Sequence, residues 1–417
     1  MIPRPERPLD LLFVTWSGGG NLPPVLIAAE RMLARGHRVR ILSEACDRAD
    51  CEAVGARFVA WTRAPSRPNR LRETDYLRDW ESTDPGEGFM RLLGRMVVGP
   101  ALAHAEDLRE ELARAPADLV ITSEMLLGVL AACEALRQPV AILGANISLY
   151  PSSGAPSVGG FAAPFQARVQ LFDQGVPALN AARAELGLAP IAHLTDQLQA
   201  AKVTLLATAQ AFDLPWNDRP DDVRYVGPMI GDPPGSAWIS PWPHEDARPL
   251  VLVSFSTTFQ NHVAVLQRVL DGLARLPVRV LLTTGDAIDP AELRAGQNAI
   301  VVRRAPHGAV MREAALVITH GGHGTVIRAL AASLPTLIVP HGRDQHDNAQ
   351  RVADRGAGLE LPASADAGAF VKAAQRLMSE PTFRAGAERL GAAVRAEIAA
   401  STLVQDLEAA ARQPVPA

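Results

Sequence analysis

Residues 316–358 read LVITHGGHGTVIRALAASLPTLIVPHGRDQHDNAQRVADRGAG, and this stretch decides the fold. Leu316 to Thr319 is an apolar run of strand length, His320, Gly321, Gly322 and His323 form a turn, and a helical pattern begins near Gly324. A second short apolar run, Thr336 to Val339, follows, and after Pro340 comes another helical stretch. Strands alternating with helical segments specify βαβ units, because parallel neighbours need a crossover connection. Exposed backbone N–H groups and the positive end of a helix make such a strand-glycine-helix turn a diphosphate site, and glycines let phosphates approach. Taken alone, the turn favours a tight strand-to-helix connection carrying two solvated histidines.

The same alternation extends in both directions. Leu11 to Thr15 is an apolar run, Ser17 to Gly20 a flexible turn, and Pro23 and Pro24 open a periodic segment that stops before Gly36. Proline in the first turn and glycine after the end mark a helix. Val39 to Leu42 completes one βαβ unit, and the pattern returns at Asp118 to Thr122, Leu126 to Leu136 and Val140 to Leu143. Between Asp213 and Arg248 the texture becomes rich in proline, glycine and acids, as in an interdomain linker. After it come a strand at Leu250 to Ser254, a helix at His262 to Leu276, and strands at Val278 to Leu282, Ile300 to Arg303, Leu316 to Thr319 and Thr336 to Val339. The expected architecture is α/β: two Rossmann-like, doubly wound domains, 1–212 and 249–417, joined by 213–248 and facing a central cleft. The last helix is placed so that it can pack back on the first domain. Ligands of such sheets bind beyond the carboxyl ends of the strands.

Bulk properties narrow the function. A chain of 417 residues suits two domains at roughly 100 to 200 residues each. Lys plus Arg number 41 and Asp plus Glu 45, a net charge of -4, so no basic excess points to nucleic acid. Cys46, Cys51 and Cys133 form no C-x-x-C pair and no disulfide framework; a reducing, cytoplasmic setting is expected. The proline-rich, charged start lacks a signal-peptide core, and no run of about 18 uncharged apolar residues occurs. Hydrophobic content of 48% with 21% charged residues is that of an ordinary globular enzyme.

In the second half of the opening stretch, Pro340, Asp344, Gln345 and Asn348 follow a strand. An Asp-Gln pair just past a strand end can hydrogen-bond sugar hydroxyls. The block resembles the nucleotide-sugar signature of the GT-B, family 1 glycosyltransferases, the group containing plant and macrolide glycosyltransferases. The resemblance spans most of the chain and includes GHRV at 36–39, YVGP at 225–228 and SFSTT at 254–258. It implies that His320 contacts the diphosphate, that Gly322, Gly324 and Thr325 donate to it from the helix start, and that Thr257 reaches it from the facing loop. By the same resemblance Asp344 and Gln345 hold the sugar, and His307, in Ala305-Pro306-His307, packs against the base. His323, His341 and His346 carry no assigned role. No D-x-D occurs, so no metal clamp is expected, and N–H groups, His320 and the helix dipole meet the leaving-group charge. No cofactor is expected beyond the nucleotide sugar as cosubstrate; the oligomeric state is not indicated.

Two positions depart from the family pattern. Many relatives have a glutamate for the ribose eight residues after the motif histidine, where this chain has Arg328. A guanidinium cannot accept a hydrogen bond, so the ribose is held otherwise, the donor is a deoxythymidine nucleotide, or Arg328 is a surface helix residue. The family's catalytic base aligns with Asn21, which cannot titrate, and its partner aspartate aligns with Ser123, with Glu124 adjacent. Asn21 orients an acceptor hydroxyl or caps the helix, as asparagine does well.

The leading expectation is an inverting, metal-independent glycosyltransferase that moves a sugar from a UDP- or dTDP-sugar to a small hydrophobic acceptor, phenolic or polyketide-like. The alternative is a non-catalytic nucleotide-sugar-binding relative or auxiliary partner of another glycosyltransferase, motivated by the missing dyad. A nicotinamide or flavin oxidoreductase ranks behind both, because Gly18 and Gly20 lack the third glycine of G-x-G-x-x-G. The acceptor is expected in the first domain, whose long loops Trp61 to Met96 and Asn146 to Phe172 carry Trp61, Trp80, Phe89, Tyr150, Phe161 and Phe165.

Overall fold

The first strand, Asp10–Val14 (β1), sends its side chains alternately to two apolar cores. Leu12 and Val14 enter one, and Leu11 and Phe13 the other. A strand buried on both faces needs helices on both, which is the doubly wound arrangement. The computed structural model describes residues 7–82, 84–147, 165–216, 219–232, 237–255 and 258–413.

Around β1 lie Arg38–Ser43 (β2), Arg57–Ala60 (β3), Leu119–Thr122 (β4), Val140–Gly144 (β5), Thr204–Leu206 (β6) and Val223–Tyr225 (β7). Their spatial order is β3-β2-β1-β4-β5-β6-β7, with every pair parallel. The second sheet contains Leu250–Ser254 (β8), Arg279–Thr283 (β9), Ala299–Val302 (β10), Ala314–Thr319 (β11), Thr336–Ile338 (β12) and Gly358–Glu360 (β13). Its order is β10-β9-β8-β11-β12-β13, again parallel throughout. Val251 and Val253 face one core of this half, Leu250 and Leu252 the other.

Strand order reverses between β1 and β4 in the first sheet, and between β8 and β11 in the second. The loops that leave those strand ends diverge there and open a crevice. Register holds the ends level: Val14 pairs with Thr122, and Ser254 with Thr319. The turns beginning at Thr15 and His320 therefore reach corresponding heights above their sheets.

Two sequence expectations are corrected here. The stretch 213–248 is not wholly connecting chain, because Val223–Tyr225 closes the edge of the first sheet beside β6. Trp61 is no cleft-lining aromatic: it is 4% exposed, donates its indole N–H to Thr15 O (3.1 Å), and packs against His104 at 4.9 Å. The short strands β3, β6 and β13 went unread because each has too few residues to display a period.

The C-terminal helix Leu403–Arg412 buries Leu403, Leu407 and Ala410 in the core of the first domain, with Leu11 and Phe13. Glu408 on that helix accepts from Arg35 Nε at 2.8 Å and meets His37 Nε2 at 3.0 Å. The chain thus returns to its starting domain and ties the two halves together.

Candidate active site

The crevice between the two sheets is a cleft of about 730 Å³, within the range of small-molecule sites, roughly 300–1,000 Å³. It gathers Asn21, His307, His320, Gly322, Gly324, Thr325, Asp344 and Gln345 on its walls. Residues some 300 positions apart in sequence meet there because the two switch points face each other.

The turn after β11 is shaped by its glycines. Gly321 has φ +99°, a left-handed conformation costly for other residues. Gly322 lies against the His320 ring, so that a Cβ there would stand 2.7 Å from Cε1 and 2.8 Å from Nε2. His320 is consequently fixed beneath the start of the helix His323–Ala331. Burial first, then the neighbouring His341 and Arg343, push its pKa down to about 3, so the ring is neutral. At 7% and 5% exposure, His320 and His323 are not solvated turn residues. Gly324 opens onto free space, and Gly322, Gly324 and Thr325 line the cleft at the positive end of this helix.

Opposite the turn, the loop from Val339 to Asp344 leads into the helix Gln345–Asp354. Asp344 Oδ2 accepts from Asn348 Nδ2 (2.9 Å), which also donates to Gly321 O (2.9 Å), so loop and glycine turn are locked together. Burial raises the Asp344 pKa. Gln345 is engaged within the protein: Oε1 accepts from the His341 N–H (2.7 Å) and Nε2 donates to Gln260 Oε1 (2.8 Å). His307 meets Thr283 Oγ1 at 3.0 Å through Nε2, and burial brings its pKa down to about 4.

Arg328 lines the cleft and donates to Gly231 O at 3.1 Å, while its Nε is buried without a partner. It is therefore no plain surface residue. Beside it, the Asp232 carboxylate accepts from the N–H groups of Gly308 and Ala309 (both 2.9 Å) at the start of the helix His307–Met311. Thr257 lies outside the described residues.

On the first-domain side the wall is apolar: Trp16, Phe89, Leu92, Met125, Ile147 and Phe172. Trp80 also lines the cleft and meets Phe259 edge-on at 5.1 Å. Tyr150 and Phe161 lie outside the described residues, as does the side chain of Phe165. Asn21 does not cap the following helix; its Nδ2 donates to Gly18 O at 2.9 Å. Ser123 and Glu124 follow β4, but neither is among the residues lining the cleft. The Glu124 carboxylate is buried near Ser123 Oγ (3.4 Å), and burial raises its pKa to about 7.

Several polar contacts join the halves of the molecule and were not readable from spacing. Arg343 Nε donates to Asp79 Oδ2 across the cleft (2.8 Å). Asp213 accepts from Arg351 (2.8 Å) and from the Tyr225 hydroxyl (2.9 Å). His323 Nε2 meets Thr208 Oγ1 at 2.7 Å. His323 thus joins one half to the other.

Residues 267–410 match the family described as Erythromycin biosynthesis protein CIII-like, C-terminal domain. The 4'-demethylrebeccamycin synthase of Lentzea aerocolonigenes is 28% identical over 418 residues, covering 95% of this chain and 97% of its own. The demethyllactenocin mycarosyltransferase of Streptomyces fradiae is 26% identical over 409 residues, covering 93% and 84%. Among solved structures, the glycosyltransferase of kitacinnamycin superposes with a TM-score of 0.77 at 20% identity, covering 97% of this chain and 99% of that one. The calicheamicin glycosyltransferase gives 0.75 at 20% identity, covering 98% and 100%. Among the described residues, no helix is long and apolar enough to cross a membrane. The chain has the GT-B fold and is a glycosyltransferase, similar over most of its length to natural-product glycosyltransferases.

Proposed function

We propose that the second-domain wall of the cleft holds a UDP- or dTDP-sugar and that the sugar passes, with inversion, to a hydrophobic natural-product aglycone on the first-domain wall. One observation carries this reading: the His320–Thr325 turn with its helix N-terminus, and Asp344, face the apolar wall of Trp16, Phe89, Leu92 and Met125 across a single cleft. The diphosphate sits on the turn, where N–H groups and the helix dipole meet its charge. Asp344 accepts from sugar hydroxyls. Gln345 serves mainly by holding the loop in place through His341 and Gln260. Arg328 stands beside His307 and Asp232 at the nucleoside end, supplying donors only. That favours a nucleoside recognised through acceptors such as base carbonyls rather than through ribose hydroxyls.

The acceptor's nucleophilic atom attacks the anomeric carbon from the face opposite the diphosphate, so the new bond forms as the old one breaks. Positioning and charge stabilisation supply most of the rate. The acceptor's proton passes to solvent, because Asn21 does not titrate and the buried Glu124 is not among the residues that line the cleft. Similarity to a mycarosyltransferase and a rebeccamycin-type synthase supports a natural-product aglycone as the acceptor class, and so does the likeness to a spinosyn rhamnosyltransferase solved with its aglycone.

The test is a donor panel of UDP- and dTDP-hexoses and deoxyhexoses assayed against one phenolic acceptor, read as nucleoside diphosphate release and product mass. Gain of one sugar mass with at least one donor is expected. Absence of both release and mass gain across phenolic and polyketide acceptors would overturn the reading.

A further inference from the structure

Behind the glycine turn, three imidazoles converge. His262, which precedes the helix Val263–Leu273, has its ring centroid 4.2 Å from that of His341 and 5.7 Å from that of His320. Phe255 closes the group edge-on to His262 at 5.1 Å. His320 and His341 line the cleft, whereas His262 is 1% exposed and neither of its ring nitrogens has a partner among the described residues. A neutral imidazole owns one donor and one acceptor, and leaving both unmet in the interior is unfavourable.

The other two rings are better anchored. His341 Nδ1 lies 2.8 Å from Val339 O, so Nδ1 carries the hydrogen and Nε2 is the acceptor. His320 Nδ1 is 3.4 Å from Thr319 Oγ1. The charged and titratable groups acting on the rings are Arg343 on His262 and His320, and Arg268 and His346 on His341. Asp79 is bound to Arg343, and Glu360 to His346. Among the described residues, the charges acting directly on the cluster are thus positive. Burial first, then the neighbouring rings and cations, keep all three imidazoles neutral.

We propose that this cluster takes up one proton from solvent when the diphosphate of a nucleotide sugar binds at the His320–Thr325 turn, with His341 bearing it at the cleft and His262 positioning that ring from behind. The inference rests on the donor site of the proposed function. The nucleotide sugar brings a fixed negative charge, the partner the rings lack, and an opposite charge a few ångströms away favours the imidazolium. The His262 ring, edge-on to His341 with centroids 4.2 Å apart, holds that ring from behind, so that its Nε2–H is left to face the diphosphate. As the anomeric C–O bond breaks, its electron pair moves to the β-phosphate oxygen and adds one negative charge to the leaving group. The stored proton already stands beside that charge, while the acceptor's own proton leaves separately.

Calorimetric titration of the full chain with UDP-glucose and with dTDP-glucose, without acceptor, tests this in two buffers of different ionisation enthalpy. These diphosphate diesters do not titrate near neutrality, so any proton uptake belongs to the protein. Wild type should take up most of one proton, and its affinity should fall by up to about tenfold per pH unit on going from pH 6.5 to pH 8. His341→Gln and His262→Gln should each still bind, with the uptake at least halved and the pH dependence flattened. Binding without proton uptake by wild type, a measurement that needs no substitution, overturns the inference while leaving the donor site standing. Unchanged uptake in both variants overturns it as well. Failure of wild type to bind these two or any other UDP- or dTDP-sugar of the donor panel removes the donor site and the inference together.

Discussion

Arg343, one residue before Asp344, reaches across the cleft and pairs with Asp79 of the first domain at 2.7–2.8 Å. Asp79 precedes Trp80, whose ring rests edge-on against Phe259 of the second domain. The two contacts make one clasp over the sugar end of the cleft, joining the acceptor-side loop to the sugar loop. Asp79→Asn keeps an acceptor but removes the charge. It should raise the donor KM by roughly five- to thirtyfold, the equivalent of about 1–2 kcal/mol for a partly buried charge-assisted contact. Steady-state kinetics at saturating acceptor check this, and an unchanged KM would mean that the clasp opens without cost.

His320 and Gly322 are predicted to fail together. His320→Ala should weaken nucleoside diphosphate binding by about 2 kcal/mol, roughly thirtyfold. Gly322→Ala should do similar damage without touching the ligand, because its Cβ would stand 2.7 Å from the His320 ring. If the alanine at 322 acts only through that collision, the double variant His320→Ala/Gly322→Ala should be little worse than either single one. Additive losses in isothermal titration would contradict the coupling.

How much of this was legible in the sequence follows from what each signal depends on. The turn from His320 to Thr325 could be read because strand, glycines and helix are adjacent in the chain, and the parallel sheets could be read from the recurring alternation. The Asp79–Arg343 pair, the capping of the helix His307–Met311 by Asp232, and the bond from His323 to Thr208 join residues far apart in sequence, and no local pattern encodes them. Trp61 shows the converse limit: an aromatic in a long loop looks like lining until its indole N–H is found bonded to Thr15 O. Gln345 sits where a sugar ligand was expected, yet its amide is held by His341 and Gln260.

Turnover is expected to persist in excess EDTA. The N-terminus of the helix His323–Ala331 and the Gly324 N–H offer the positive potential that a metal supplies elsewhere. Initial rates before and after chelation provide the measurement. Loss of activity that magnesium or manganese restores would contradict it.

Glu124 offers a pH-dependent prediction. Burial raises its pKa from 4.5 to about 7, so between those values the folded state binds more protons than the unfolded state. Stability then falls as pH rises through that window and levels off above it. Between pH 5 and pH 8 the stability difference should move in favour of Glu124→Gln by at most about 3 kcal/mol, measurable by urea denaturation. Because the carboxylate lies off the cleft wall, Glu124→Gln should slow transfer little and equally for all acceptors. A loss of roughly 100-fold, greater for less acidic hydroxyls, would instead assign the acceptor's proton to Glu124.

The donor site itself is most directly tested by a crystal structure of the protein with a bound nucleotide sugar. The diphosphate should lie within hydrogen-bond distance of His320, of the Gly324 N–H and of the Thr325 hydroxyl, the Thr325 N–H being already bonded to Gly322 O, with the sugar against Asp344 and the nucleoside toward His307 and Arg328. A diphosphate found instead on the first-domain turn from Ser17 to Asn21, with the His320–Thr325 turn empty, would contradict the account.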